Sequence, residues 1–502
     1  MTRYDSFAGS ARLAAADAPN ATAIVDGPVR WTWSDLDARA DAVAGSLQRA
    51  GVDPGDRVAL LAVPSAAAIA ALHAIARVGG VVAPLGVGLT ATELRVAAEV
   101  LDPSVVVHDT GLTTAAVALG RPTIPLDELV TSASGRDMEP PSGPPSDPAS
   151  AAAVVLTSGT TGRPKAAILS TGSLVASAEA WLAALPPATG WLLALGLGHV
   201  AGLGVAWRAA LSGVPLVVLP RPDVTGIAAA LAADPWPSHV SVVPATMSRL
   251  LEAVGEAPPP ATVRAVLLGG GPIPAELVRR AITAGWPVVP TYGLSEAGSG
   301  VTALPTDEAV DHPTSAGRAL PGVELQIAEP DDDGVGEILV DTPARFSGYL
   351  GDAAGTAAAL TDDGWLRTGD LGRLDGAGRL TVLDRRTDRI VRGGENISPG
   401  EVEAVLLEHP AVADAAVVGR HDATFGHVPV AAIVLSPGAA DPGDDALAGH
   451  CRERLAWFKV PVAFVRLEAL PRTPSGKLRG AELRASVDRL DRTDRTTEES
   501  LA

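Results

Sequence analysis

The chain is poor in cysteine, in aromatic side chains and in positive charge. Its single cysteine, Cys451, excludes an internal disulfide and fits a reducing compartment. Aromatic residues make up only 3%, so surfaces that stack bases or sugars are not expected to be its main business. Lys and Arg number 39 against 58 Asp and Glu, a net charge of −19. So acidic a chain repels phosphate backbones and anionic lipid surfaces, which disfavours nucleic acid as a partner. An anionic small substrate would then need a local basic site. A long uninterrupted apolar run is also lacking. Residues 65–89 are the most apolar stretch, rich in Ala and Gly, yet they carry His73 and Arg77. A buried helix and strand explain them better than a membrane span. The opening residues Met1 to Phe7 do not read as a signal peptide. These absences predict a soluble cytoplasmic protein.

What is present is a globular composition, 47% hydrophobic and 19% charged over 502 residues, enough for a large unit and a smaller one. Short apolar runs at 57–62, 105–108, 153–156, 192–195, 215–219, 240–243 and 263–268 are separated by helix-length, Ala- and Leu-rich segments. Continuous apolar strands alternating with helices predict an α/β fold of doubly wound, mostly parallel sheets. A Pro/Ser/Gly linker occupies 135–150. After about residue 320 the strands alternate and are joined by Asp-Gly turns, the mark of antiparallel sheet. From Ser398 the order helix, strand, strand, helix predicts a small α+β unit, followed by a polar tail.

Four segments carry chemistry. Thr157-Ser158-Gly159-Thr160-Thr161-Gly162-Arg163-Pro164-Lys165 follows a strand and precedes a helix expected from Ser173. Its glycines, hydroxyls and lysine suit a phosphate, although the spacing is not that of a P-loop. Gly269-Gly270-Gly271 ends a strand, where a flat ring can approach the backbone. Thr291-Tyr292-Gly293-Leu294-Ser295-Glu296 offers a ring face, hydroxyls and a carboxylate suited to Mg²⁺. In Gly364-Trp365-Leu366-Arg367-Thr368-Gly369-Asp370 the two carboxylate oxygens suit a vicinal diol.

These segments, in this order, resemble the signatures of the AMP-forming adenylating superfamily. So do Asp384-Arg385-Arg386-Thr387-Asp388-Arg389-Ile390, Gly393-Gly394-Glu395-Asn396-Ile397-Ser398-Pro399 and Pro474-Ser475-Gly476-Lys477-Leu478. The resemblance implies an N-terminal adenylation domain over 1–384, with a small barrel-like β subdomain, and a hinge over 385–388. It further implies a small mobile C-terminal domain over 389–487 and a frayed tail over 488–502. It places ATP on the 157–165 loop (Thr157 to Gly162, and Lys165), on Gly269 to Gly271, on Thr291, Tyr292 and Gly293, and on Asp370, Val382 and Arg385. It gives Glu296 the Mg²⁺, Ser295 an α-phosphate contact, Lys477 support of adenylate formation, Gly393 and Gly394 the CoA tunnel, and Thr387 the pivot. Asp384 and Thr387 depart from the residues usual at the hinge.

Among the superfamily's members, His199-Val200-Ala201-Gly202-Leu203-Gly204 with Trp207-Arg208, Ser241 to Pro244, and Phe425-Gly426-His427 resemble the o-succinylbenzoate–CoA ligase branch of menaquinone synthesis. His199 takes the place of a gate between acyl pocket and thiol tunnel. Gly196-Leu197-Gly198 lacks the Pro and aromatic usual before it. The implied reaction joins a carboxylic acid to CoA through an acyl-adenylate, with ATP, Mg²⁺ and CoA and with no nucleic acid or membrane span. Another aryl- or fatty-acyl-CoA ligase, an acyl-AMP synthetase with a non-CoA acceptor and a nucleotide-binding scaffold without turnover stay open, as does a homodimer. Lys477→Ala is expected to slow acyl-AMP formation by roughly 10²–10³ while thioester formation from supplied acyl-AMP persists. Equal loss in both half-reactions, read by pyrophosphate release and thiol consumption, removes the role from Lys477.

Overall fold

The computed structural model describes residues 7–131, 147–157, 164–233, 237–255, 257–271, 273–385, 390–471 and 482–487. The chain divides into two compact units. The larger takes residues 1–87, 97–157 and 165–384. The smaller is built on the described residues from 385 onward together with 88–96.

Three sheets build the larger unit, two of them large and mostly parallel. In the first, Val288–Tyr292, Ala265–Leu268, His239–Val242, Trp191–Leu193, Leu216–Val218 and Thr22–Asp26 run parallel in that order. Their Val- and Leu-rich residues are buried on both faces, as a parallel sheet requires. In the second, Val81–Pro84, Arg57–Leu61, Val105–His108 and Thr123–Pro125 are parallel. Ala151–Thr157 joins them in the same sense. An antiparallel four-stranded sheet follows, ordered Glu324–Ala328, Gly336–Asp341, Leu366–Leu374, Leu380–Arg385. The expected change of texture after 320 is therefore present.

The helix expected from Ser173 is present as Thr171–Ala184. A strand that the sequence reading did not give stands before it. Lys165–Ser170 is a strand, antiparallel to Ala151–Thr157 with Thr157 opposite Lys165, and the helix Thr171–Ala184 comes after it. Ala166, Ala167 and Leu169 are buried there, and this apolar run holds the strand in the sheet. The second helix of the order expected from Ser398 is Asp444–Arg452.

Helix Val200–Ser212 is buried from Gly202 to Leu211, as befits a helix covered all round. Phe7 wedges it to the N-terminal helix. Its ring stacks 3.8 Å from Trp207 and 4.1 Å from His73, each at 11°. Burial pulls His73 down to about 3, so the imidazole in this stack is neutral.

In the smaller unit, Val412–Asp422 and Gly426–Leu435 form a long hairpin. Ile390–Arg392 and Ala463–Arg466 both pair with its second strand, at Gly426 and at Val430 to Ile433. Helices Pro399–Leu407 and Asp444–Arg452 close a core around Ile397, Leu406, Leu447 and Cys451.

Arg77 ties three helices of the larger unit. It donates to Asp37 Oδ1 (2.5 Å), Asp41 Oδ1 (2.6 Å) and the carbonyls of Asp37 (2.9 Å) and Ala8 (3.3 Å). Its side chain is 4% exposed against 22% and 29% for the two carboxylates. Arg77→Leu is expected to destabilise this unit by about 1.5–3 kcal/mol, the range for bonds to charged groups. Urea unfolding followed by Trp fluorescence reads it, and an unshifted midpoint shows that the tie carries no stability.

Candidate functional site

The site is built where strands end. Gly269 follows Ala265–Leu268, and a Cβ there would lie 2.3 Å from Thr291 Oγ1. That hydroxyl donates to the Leu268 carbonyl at 3.2 Å. Gly270 has φ +77°, a left-handed value that favours glycine. Beyond Val288–Tyr292 the chain turns sharply, and at Gly293 a Cβ would stand 1.7 Å from the Ser299 carbonyl oxygen. Ser295 and Glu296 lie on the 3₁₀ turn Ser295–Ala297, closed by Gly298 at φ +67°. Ser299 takes φ +100° without being glycine, and such strain concentrates at functional positions.

Tyr292 donates its hydroxyl to Asp370 Oδ2 at 2.6 Å. Asp370 is 2% exposed and sits on Leu366–Leu374 of the antiparallel sheet. Two motifs 78 residues apart are thus joined. Val382 lies on Leu380–Arg385 and is 37% exposed. Arg385 ends that strand, but its side chain is outside the described residues, as are Ser158, Gly159, Thr160, Thr161, Gly162, Thr387 and Lys477.

A second phenol joins the site. Tyr349 donates to Glu296 Oε1 at 2.8 Å. The Lys165 ammonium lies 4.6 Å from the centre of the same ring and 3.6 Å from Asp352 Oδ2. Thr157 faces Lys165 across the hairpin. Among the described residues no group of three or more His, Cys, Asp or Glu is arranged to hold a metal. One oriented carboxylate suits Mg²⁺, which is held through one or two carboxylates together with substrate phosphates.

His199 caps the N-terminus of Val200–Ser212 with extended backbone and is half-buried. The unusual Gly196-Leu197-Gly198 before it has a packing reason. A Cβ at Gly198 would stand 2.7 Å from the Gly86 nitrogen, and one at Gly202 would stand 2.2 Å from the Gly196 oxygen. The same helix carries Arg208, 2% exposed. Its guanidinium lies 4.6 Å from the Trp191 ring centre and 5.6 Å from that of Trp181. Burial alone draws it down to about 9, and no carboxylate pairs with it among the described residues. Arg208 Nε and the indole nitrogens of Trp181 and Trp191 are buried donors without an acceptor. A Cβ on Gly204 would be 3.2 Å from Arg208 Nη1 and 3.9 Å from Ser299 Cβ, so this face of the helix lies against Ser299 and leaves the guanidinium its space. Motif reading gave Arg208 as a pattern only, and Tyr349 not at all.

In the smaller unit Gly393 and Gly394 take φ +60° and +94°. The Gly393 nitrogen donates to the Phe425 carbonyl at 2.8 Å, and Arg392 pairs with Gly426. The segments 393–394 and 425–427, singled out separately in the sequence, are therefore neighbours. Burial, then the charges of His421 and Arg484, hold His427 below its ordinary value.

Comparison with known proteins agrees with this layout. Residues 11–350 match the AMP-binding enzyme family, and 401–477 match the AMP-binding enzyme C-terminal domain. The 2-succinylbenzoate–CoA ligase of Bacillus cereus is 35% identical over 481 residues, covering 94% of this chain and 97% of its own. A solved Bacillus subtilis o-succinylbenzoate CoA synthetase, a double mutant bound to a product analogue, is 32% identical with a TM-score of 0.89, covering 95% and 98%. The same synthetase in complex with ATP and magnesium gives 0.71 at 32% identity, covering 95% and 99%. No helix among the described residues is long and apolar enough to cross a membrane. Two family matches spanning most of the chain, with a relative 35% identical over nearly its whole length, place it in the AMP-binding enzyme family of adenylate-forming ligases.

Proposed function

We propose that the chain is an ATP-dependent, AMP-forming acid–CoA ligase whose acid is o-succinylbenzoate, acting in the cytoplasm. The observation that carries the choice of acid is Arg208. A buried, unpaired guanidinium is costly unless something compensates it, and aromatic faces do so only in part. An acid with two carboxylates supplies the missing anion: one carboxylate reacts, and the other lies on Arg208 among the Trp181 and Trp191 donors. A plain aryl or fatty acid would leave that cation unanswered. The names of the B. cereus and B. subtilis relatives point to the same acid.

A carboxylate is a poor electrophile, so the reaction is divided in two. The substrate carboxylate attacks the α-phosphorus of ATP, releasing pyrophosphate, and the CoA thiolate then displaces AMP. The protein's part is positioning and electrostatics, not proton transfer. Asp370 accepts from the ribose hydroxyls, and Tyr292 sets the carboxylate's angle. Gly269 to Gly271 let the adenine lie on bare backbone. Thr157 to Gly162 and Lys165 take the outer phosphates, Ser295 the α-phosphate, and Arg385 and Val382 border the nucleotide. Mg²⁺, when bound, neutralises phosphate charge, and Glu296 is the residue that would hold it. Lys477 supports adenylate formation, His199 gates the acyl pocket, Gly393 and Gly394 line the thiol's path, and Thr387 is the pivot between the half-reactions.

Three outcomes test this reading. Asp370→Ala is expected to weaken binding of a non-hydrolysable ATP analogue by about 1.5–3 kcal/mol, and calorimetric affinity equal to the native value removes Asp370 from the ribose site. Among free acids at equal concentration, o-succinylbenzoate is expected to give the highest kcat/KM. Arg208→Met should raise its KM by about 10-fold or more, the loss of one charged contact, and leave the KM for ATP in place. A higher kcat/KM for benzoate or a medium-chain fatty acid overturns the choice of acid.

A further inference from the structure

We propose that Tyr349 is a positioning residue for the cation site: its hydroxyl fixes the Glu296 carboxylate, and its ring face holds Lys165 ready for the phosphates. The inference rests on the reading of Glu296 as the Mg²⁺ ligand. Tyr349 belongs to the two-residue strand Gly348–Tyr349, which pairs with Lys165–Ser170 through Tyr349 and Ala167. That pairing puts the ring beside the first residue of the neighbouring strand, Lys165. The backbone is pinned from several directions. The Tyr349 nitrogen donates to Thr356 Oγ1 at 2.8 Å, the Ser347 nitrogen to the Ile168 carbonyl at 2.8 Å, and the Phe346 nitrogen to the Glu296 carbonyl at 2.8 Å. Phe346 braces the ring edge-on, with centroids 4.9 Å apart. Gly348 is at φ +139°, where a Cβ would strike the Thr356 methyl at 2.8 Å, so the turn into the strand is fixed by packing.

The chemistry follows from this geometry. A phenol on Oε1 orients the carboxylate and leaves its charge and its second oxygen for a cation. Partners of this kind around ligating carboxylates change metal affinity about 10–100-fold when removed. The same ring supports an ammonium without neutralising it. Asp352, which also caps helix Ala353–Ala358 through Gly355, shares that ammonium at 3.6 Å. Lys165 is thus held by weak, exchangeable contacts that a triphosphate can outcompete.

The test uses the full chain with a non-hydrolysable ATP analogue and Mn²⁺, free Mn²⁺ being read by electron paramagnetic resonance. Tyr349→Phe keeps the ring and removes the hydroxyl. It should weaken Mn²⁺ about 10-fold, and raise the Mg²⁺ needed for half-maximal pyrophosphate release by a similar factor, with the KM for the acid unchanged. Tyr349→Leu removes the ring as well and should in addition raise the KM for ATP. Circular dichroism establishes that both variants are folded. Native Mn²⁺ affinity in folded Tyr349→Phe, alongside weakened Mn²⁺ in Glu296→Gln, overturns the role of Tyr349 alone. Native affinity in Glu296→Gln overturns the placing of the cation, and the inference with it.

Discussion

Two tyrosine hydroxyls orient the carboxylates on which the site depends. The chain has only three tyrosines, and two of them donate to Asp370 and Glu296 at 2.6 and 2.8 Å. A phenol does for a carboxylate what an arginine cannot. It fixes the angle through one strong O–H···O⁻ bond and adds no compensating charge. In a chain of net charge −19, anionic side chains near a triphosphate are tolerable only if each has a partner of its own to satisfy. On our reading those partners are the ribose diol for Asp370 and a cation for Glu296. An arginine in either place would neutralise the carboxylate and compete with the ligand.

Arg208 shows the same principle with the sign reversed. Its guanidinium is buried between the faces of Trp181 and Trp191, which solvate a cation partly and neutralise it not at all. His239, 4.9 Å from Trp191, is drawn down to about 4 chiefly by burial, so it adds no second positive charge to the cluster. Asp370, Glu296 and Arg208 therefore each have a neutral aromatic side chain beside them, whereas Lys165 also lies 3.6 Å from the Asp352 carboxylate. On our reading charges held in place in this way act on the ligand without first reorganising, which is how electrostatic catalysis works.

What could be read in the sequence follows from this division. The hydroxyl, glycine and carboxylate motifs were legible because backbone conformation and ligand chemistry restrict each of their positions. The alternation of apolar strands with helices gave the parallel sheets, and the Asp-Gly turns gave the antiparallel one. Lys165–Ser170 was not legible as a strand: Lys-Ala-Ala-Ile-Leu-Ser suits a helix as well, and only pairing with Ala151–Thr157 decides it. Tyr349 carried no signal, because its role comes from register across that pairing. Arg208 was visible as a residue, but the lack of a carboxylate beside it is a property of packing. Gly196-Leu197-Gly198 looked like a weakened motif and is a close approach to Leu85 and Gly86.

The 53 glycines suggest a pliable molecule, yet the positions around Trp181, Trp191 and Arg208 argue for rigidity. At Gly300 a Cβ would lie 2.2 Å from Trp181 Nε1, so the absence of a side chain is what allows that indole to lie flat against the backbone. Gly204 gives the Arg208 guanidinium its space, and Gly202 lets the helix start fold onto the Gly196 carbonyl. In each case an atom of the wall occupies the place of a side chain. Adding a methyl group at 300 would push Trp181 away from Arg208 and remove part of the cation's compensation. Glycine here trades unfolded-state entropy for contact. The helix that His199 caps, the two indoles and the strained Ser299 are consequently set by backbone packing, so on our reading a second carboxylate is recognised without a conformational search.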